Sequence, residues 1–584
     1  MKKIFTLFTL LFVTLQLSAG PIGESRARQI AEVFFAEHAT TRSATTLKLE
    51  WAGDVISESS TRSTDLENAL IYIYIYPRGT NEGFVIIAGD DNIDPIIGYS
   101  FETTFDSENM AEATKDIIDA WGKQVNAARN GQLSANVTTR TSTLYNEVLL
   151  YETALWNQSE PYNREAPTIN GSRSVTGCAA TAMSIICKFN KWPNKGVGTT
   201  PAYSYVDNSG ITRSVPANTL GRTYDYDNML QSYDNGYNNT QASAVAALMK
   251  DMGTAIKMNY NPDESGAYDS DVAQAFINHF GYSKQSILAC RVGYTSKEWH
   301  EIMRTNLENY GPTFFSGQGN DGGHAFILDG YATNDYFHFN FGWSGYNNGY
   351  FRMPEIDYYA EQKALLYLAP DKDGTSKYRD NIQLYALGLT NGEIMRGITS
   401  YEDKYVANNS FQIMFGGFIN YGSRTFSGDI ALMQCNKNGE LKKQLFTMAV
   451  DNLGIQYYTY SNSYHNISID NIEDGDVLRV YFRSSDSDEW IWARAYSAEA
   501  DDEIQICATP EQVAENLSFT YNKAENVIYL QSPDAFQIDL DNGTGSGAFT
   551  GHSQGTIQSS LLNKGEHTLK ISNSGRAYEL KIKL

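Results

Sequence analysis

Cys178 lies in the stretch TGCAATAM (Thr176 to Met183), where a turn pair precedes small and apolar residues, Cys178, Ala182, Ile185, Ile186 and Phe189, at helical spacing. That spacing predicts a helix over Ala179 to Phe189, with the thiol on its first turn and Pro193 marking its end. A helix N-terminus offers free N–H groups and partial positive charge. Both stabilise a thiolate, the form that attacks, and the same N–H groups can then hold an oxyanion. A small buried residue at a helix start would give the same spacing, so Cys178 needs a base, and the base needs a group that fixes its tautomer.

Of eight histidines, His324 in GGHAFILDG stands at the mouth of a strand, directly after a Gly-rich stretch. With the next turn between Ala332 and Asn334, antiparallel pairing sets His324 opposite the segment Asn340-Phe341-Gly342-Trp343. An Asn there can accept the imidazole N–H while an indole shields that bond from water. An ordinary aromatic hairpin would read the same way. His338 is a rival base, but two residues before Asn340 it shares that residue's strand face and suits a structural role.

Five blocks together resemble the streptopain-like cysteine peptidases, secreted bacterial enzymes of papain-like fold. These are TGCAATAM followed by KFNKWPNKG, then GGHAFILDGY, FHFNFGWSG, the upstream WNQSEPYN and GFVIIAGDDNIDPIIGYS. The resemblance runs from about Ser25 to Pro370, and His324 follows Cys178 by 146 positions. It implies Cys178 as nucleophile, His324 as general base and acid, Asn340 as orienter of the imidazole and Gln158 as side-chain oxyanion donor. Trp343 and Phe341 would support the pair. The family commonly has Trp-Gly-Trp after the Asn; here Phe341 replaces the first indole and has no N–H to donate. The resemblance further implies protein or peptide substrates, a preference for an apolar residue one position before the scissile residue, and an N-terminal propeptide that inhibits the enzyme until it is cut away.

The elements that must position these residues divide the chain into segments. Lys2 and Lys3, an apolar run from Ile4 to Leu17 and small residues at Ser18 to Gly20 read as a secretory signal. That run has 14 residues, fewer than the roughly 20 a membrane-spanning helix requires. From residue 21 to 140 a helix carrying Ala27, Ile30, Ala31, Phe34, Phe35 and His38 on one face, two strand runs and a second helix near Ala111 to Ala128 form an α+β unit. The stripe Ile117, Ile118, Trp121 and Val125 is the buried face expected of that second helix. A polar stretch, GQLSANVTTRTST, ends the unit and makes Arg140 a candidate propeptide cleavage site. Residues 141–372 are the expected papain-like peptidase domain. Residues 373–508 and 509–584 alternate short strands with Asn, Gly, Asp and Ser turns and read as two β-sandwich-like domains. The fold class is α+β.

Sixty-eight acidic against 45 basic residues give a net charge of -23, which repels phosphate backbones and argues against nucleic-acid binding. Five cysteines are few and odd for an exported chain, so at least one thiol stays unpaired. The sequence contains no HExxH, paired CxxC or EF-hand loop. No cofactor is expected beyond a reductant for the thiol, and a structural calcium on the acidic loops stays open. The competing reading is an inert peptidase-like unit on a cell-surface adhesion or binding protein, with the β domains as its working part.

Overall fold

The computed structural model describes residues 20–505 apart from 39–46, 55–65, 79–80, 109, 111, 131–144, 320–321, 355–361, 389–393, 401–409, 470, 474, 498–499 and 501. Beyond 505 it describes the backbone of six strands. The signal-like segment, Arg140 and Cys507 therefore lie outside the described residues. Among those described, no helix is long and apolar enough to cross a membrane.

The described residues include six α-helices: α1 (Glu24–His38), α2 (Glu112–Arg129), α3 (Cys178–Asn190), α4 (Asn239–Ala255), α5 (Asp269–Phe280) and α6 (Ser296–Tyr310). The largest sheet uses β1 (Lys48–Gly53), β2 (Ile71–Arg78), β3 (Asn81–Ala88), β4 (Ile96–Ser100), β5 (Glu147–Leu150), β6 (Ile287–Cys290), β7 (Thr313–Gly319), β8 (Gly322–Ala332), β9 (Tyr336–Asn340), β10 (Gly349–Phe351) and β11 (Lys363–Leu366). Its order is β1-β2-β3-β4-β10-β9-β8-β7-β11-β6, with β5 beside β8. The four strands of the N-terminal unit are thus continuous with the strands bearing GGHAFILDG. The join is antiparallel, with Tyr350 opposite Tyr99 and Phe351 opposite Gly98.

On β2, Tyr72 and Tyr74 are fully buried. Both faces of the sheet are covered: α1 packs with the tyrosine face, and α2 with the face carrying Ile71, Ile73 and Ile75. The buried hydroxyls are satisfied locally. Tyr72 donates to the carbonyls of Ile22 and Leu66, and Tyr74 to that of Glu24.

The expected stripe of α2 is buried, and its core also contains Phe315, Phe326, Leu328, Phe339 and Phe341. Trp121 anchors this shared core, donating its indole N–H to the Arg352 carbonyl at 3.2 Å. Trp121→Ala is expected to destabilise the protein by about 3–5 kcal/mol through the cavity left behind. Urea unfolding followed by far-UV circular dichroism measures that loss.

Helix α3 crosses the opposite face, in a core with Ala325, Ile327, Val245, Leu248 and Phe276. Past Asp373 the chain forms two facing sheets. One contains β12 (Ile382–Leu384), β13 (Gly397–Ser400), β14 (Ser410–Asn420) and β17 (Tyr458–Ser468). The other contains β15 (Phe426–Cys435), β16 (Leu441–Leu453), β18 (Val477–Ser484), β19 (Ile491–Trp492) and β20 (Glu503–Gln505). Leu384, Ile413, Phe415, Phe418, Ile430, Leu432 and Val480 fill the space between them. That is a β-sandwich. The six C-terminal strands, Ser518 to Lys583, form two three-stranded antiparallel sheets.

Candidate active site

Helix α3 begins at Cys178, one residue before the expected Ala179. Gly177 makes this start possible: its φ is +86°, and a Cβ there would lie 2.4 Å from Met258 Cε. Cys178 Sγ accepts a hydrogen bond from the Ala325 N–H at 3.4 Å. Burial pushes the thiol up to about 11, with a contribution from the Asp269 carboxylate, against the pull of the Ala325, Ala179 and Cys178 N–H groups. In this geometry Cys178 is a protonated thiol at neutral pH.

His324 lines the same cleft, about 570 Å³ in volume, together with Gln158, Cys178, Ala325 and Trp343. It is buried, and Trp343 stacks on its ring with centroids 6.2 Å apart. Its Nε2–H donates to the Phe341 carbonyl at 3.1 Å. No hydrogen bond joins the imidazole to the thiol. Alternation along β8 accounts for this: Ala325 and Ile327 face α3, whereas His324 stacks over Phe326, whose side chain belongs to the core of α2. Burial holds the imidazole down at about 4, only partly offset by the Phe341 carbonyl. A neutral imidazole turned from a neutral thiol is a resting arrangement.

The position expected of Asn340 differs from the one found. Ile327 is opposite Asn340, so the Asn side chain lies on the α3 face, away from the imidazole. Its amide donates to Thr153 Oγ1 and the Ala154 carbonyl, and its oxygen accepts the Gly342 N–H. Thr153 continues the network to Asp329, which also meets His338 Nδ1 at 2.5 Å. His338 therefore belongs to a buried structural network. The group that accepts from His324 is a backbone carbonyl one residue later, and a backbone acceptor has no sequence signature. Asn340→Ala would leave a hydroxyl, a carbonyl and an N–H without their buried partner. Its expected cost is about 2–3 kcal/mol, measured by thermal unfolding.

Gln158 is buried and lines the cleft with Cys178. Its carbonyl accepts the Thr176 N–H at 3.0 Å, tying the WNQSEPYN segment to the approach to α3. Phe341 packs its ring against Phe326 and Phe351. Its contribution to the site is the main chain: Asn348 Oδ1 accepts the Phe341 N–H at 3.0 Å while the Phe341 carbonyl holds His324. The N-terminal unit reaches this point directly. Thr103 Oγ1 donates to the Asn348 carbonyl, and the Asp106 N–H donates to Asn347 Oδ1 at 2.9 Å. A chain of bonds thus runs from residues 103–106 to the imidazole. No local sequence pattern marks it, because its partners are far apart in the chain.

Residues 156–351 match the model of the Peptidase C10 family, and residues 19–125 that of the Spi protease inhibitor. The chain is 32% identical over 367 residues to the thiol protease/hemagglutinin PrtT of Porphyromonas gingivalis, covering 60% of this chain and 41% of that protein. It therefore spans less than half the length of that relative. To streptopain of Streptococcus pyogenes it is 28% identical over 322 residues, covering 52% of this chain and 79% of streptopain. Among solved structures, a fragment of Prevotella intermedia prointerpain A aligns with a TM-score of 0.44 at 26% identity, covering 56% of this chain and 99% of the fragment.

Proposed function

From a chain that belongs to the Peptidase C10, streptopain-like family across residues 156–351, behind a Spi-type inhibitor segment, we propose a secreted cysteine endopeptidase made as a zymogen. One observation carries this reading: Cys178, on the first turn of α3, and His324, at the mouth of β8, line a single cleft with Gln158. Once the imidazole turns to the thiol, His324 takes its proton and the thiolate attacks the substrate carbonyl. The Cys178 N–H and the Gln158 amide then receive the oxyanion. His324 returns its proton to the leaving amine, and water resolves the thioester with His324 as base. The substrate is protein or peptide, with an apolar residue one position before the scissile residue.

The N-terminal unit is the inhibitor. Its bonds to Asn347 and Asn348 fix the main chain whose Phe341 carbonyl holds His324 away from Cys178. Cleavage in the polar stretch around Arg140 begins activation, and residues 1–20 direct export. The test is shortening of the precursor under reducing conditions, followed by casein cleavage that thiol alkylation blocks. An inert unit on an adhesion protein would show neither, even after trimming near Arg140 by an added protease.

A further inference from the structure

The β-sandwich is docked against the peptidase domain beside the cleft. Arg494 donates to the Gly293 carbonyl and to Glu298 Oε1, both at 3.0 Å, and Gln383 donates to the Leu288 carbonyl at 2.8 Å. The approach is close: a Cβ on Gly293 would lie 2.8 Å from the Ala495 carbonyl. The next residue, Tyr496, lines the same cleft as Cys178 and His324. Tyr421 stacks on the Tyr496 ring with centroids 4.3 Å apart, and the Tyr496 N–H donates to the Leu384 carbonyl.

Distance along the cleft follows from the sheet register. Gly317 is opposite His324 and Ser316 opposite Ala325 on β7; Lys363 is opposite Ser316 on β11. Lys363 Nζ lies 5.4 Å from the centroid of the Tyr496 ring. Each strand step is about 4.8 Å, so β11, whose Lys363 reaches the Tyr496 ring, runs ~10 Å from the strand of His324, the span of about three residues of extended peptide. The charges at this end compensate one another. Asp269 lies 3.8 Å from Lys363 and accepts from Ser316 Oγ at 2.8 Å. Beside that compensated pair Tyr496 contributes aromatic carbon to the cleft, whose lining also includes Asp263, Glu264 and Tyr268.

We infer that Tyr496 forms a distal specificity subsite of the peptidase cleft, taking an aromatic or branched aliphatic substrate side chain about three residues from the scissile bond. The inference rests on the peptidase reading. A segment outside the matched Peptidase C10 residues thereby becomes part of the substrate path.

The test uses the full chain after reductive self-processing, with internally quenched peptides carrying Phe or Ala three residues to either side of the cleaved bond. A short peptide that ends before that position serves as control. Wild type is expected to favour Phe on one side by about tenfold in kcat/KM, the gain from burying roughly 50 Å² of apolar surface. Tyr496→Ala should lose that preference yet cleave the short peptide normally, and Tyr496→Phe should keep it. Tyr496→Leu replaces the Ala variant if that one does not fold. An unchanged Phe-to-Ala ratio in the folded ring-less variant overturns the inference. Failure of wild type to cleave even the short peptide overturns the peptidase reading, and this inference with it.

Discussion

Cys178→Ala is expected to leave the precursor at full length under reducing conditions and to abolish cleavage of casein. Wild type beside it should lose its N-terminal unit and then degrade the substrate. Removing the nucleophile of a catalytic group that acts as a unit lowers turnover roughly 10⁶-fold, below what a gel detects. The substitution is small and fits the position, because the helix start depends on Gly177 and on packing of Ala179, Ala182 and Met183, none of which changes. Loss of activity with an unchanged melting curve therefore reports on chemistry. Equal cleavage by the variant would assign the activity to another group and end the reading of Cys178.

The second large effect concerns reactivity of the thiol before and after the N-terminal unit leaves. In the precursor, burial holds Cys178 up at about 11, so at neutral pH only about one thiol in 10⁴ is ionised. With Phe341 released and His324 turned to the sulfur, an imidazolium beside the thiolate lowers that value below neutrality. Ionisation at pH 7 then rises about 10⁴-fold while intrinsic nucleophilicity falls by about 10², leaving alkylation by iodoacetamide roughly 10²-fold faster. The sign is fixed by the direction of the shift. Precursor alkylation should climb with pH into the alkaline range, and processed enzyme should react on a plateau that extends below pH 7. Cys187, Cys290 and Cys435 are buried and do not compete. Identical pH profiles for the two forms would remove the displaced imidazole as the basis of latency.

How much of this was legible beforehand depended on how local each signal was. The α3 and α2 helices follow from apolar residues repeating every three to four positions, and the buried stripe of α2 came out residue by residue. The hairpin that brings His324 beside Trp343 was readable from two strand runs and a turn, observed with Asn334 at φ +65°. Which face the imidazole takes was not readable. Alternation fixes it only once the register of Ile327 with Asn340 is known, and that register puts Asn340 on the other side of the strand. The joining of β4 to β10 left no trace in composition either, since its partners are some 250 residues apart. The same holds for Tyr496, whose neighbours in sequence are ordinary sandwich residues.

The shared sheet also shapes what happens after activation. While the N-terminal unit is in place, Gly98 and Tyr99 complete the hydrogen-bonding of β10, and Trp121 seals the apolar face behind it. Its departure leaves β10 as a raw border with unsatisfied N–H and C=O groups beside newly wetted aromatic rings, the combination that promotes edge-to-edge association. At three residues that border is short, which limits how far a second chain can zip onto it. On the proposed reading, activation and dispersal are therefore opposing demands on one seam, and the N-terminal unit doubles as the cover that keeps β10 from pairing with a second chain.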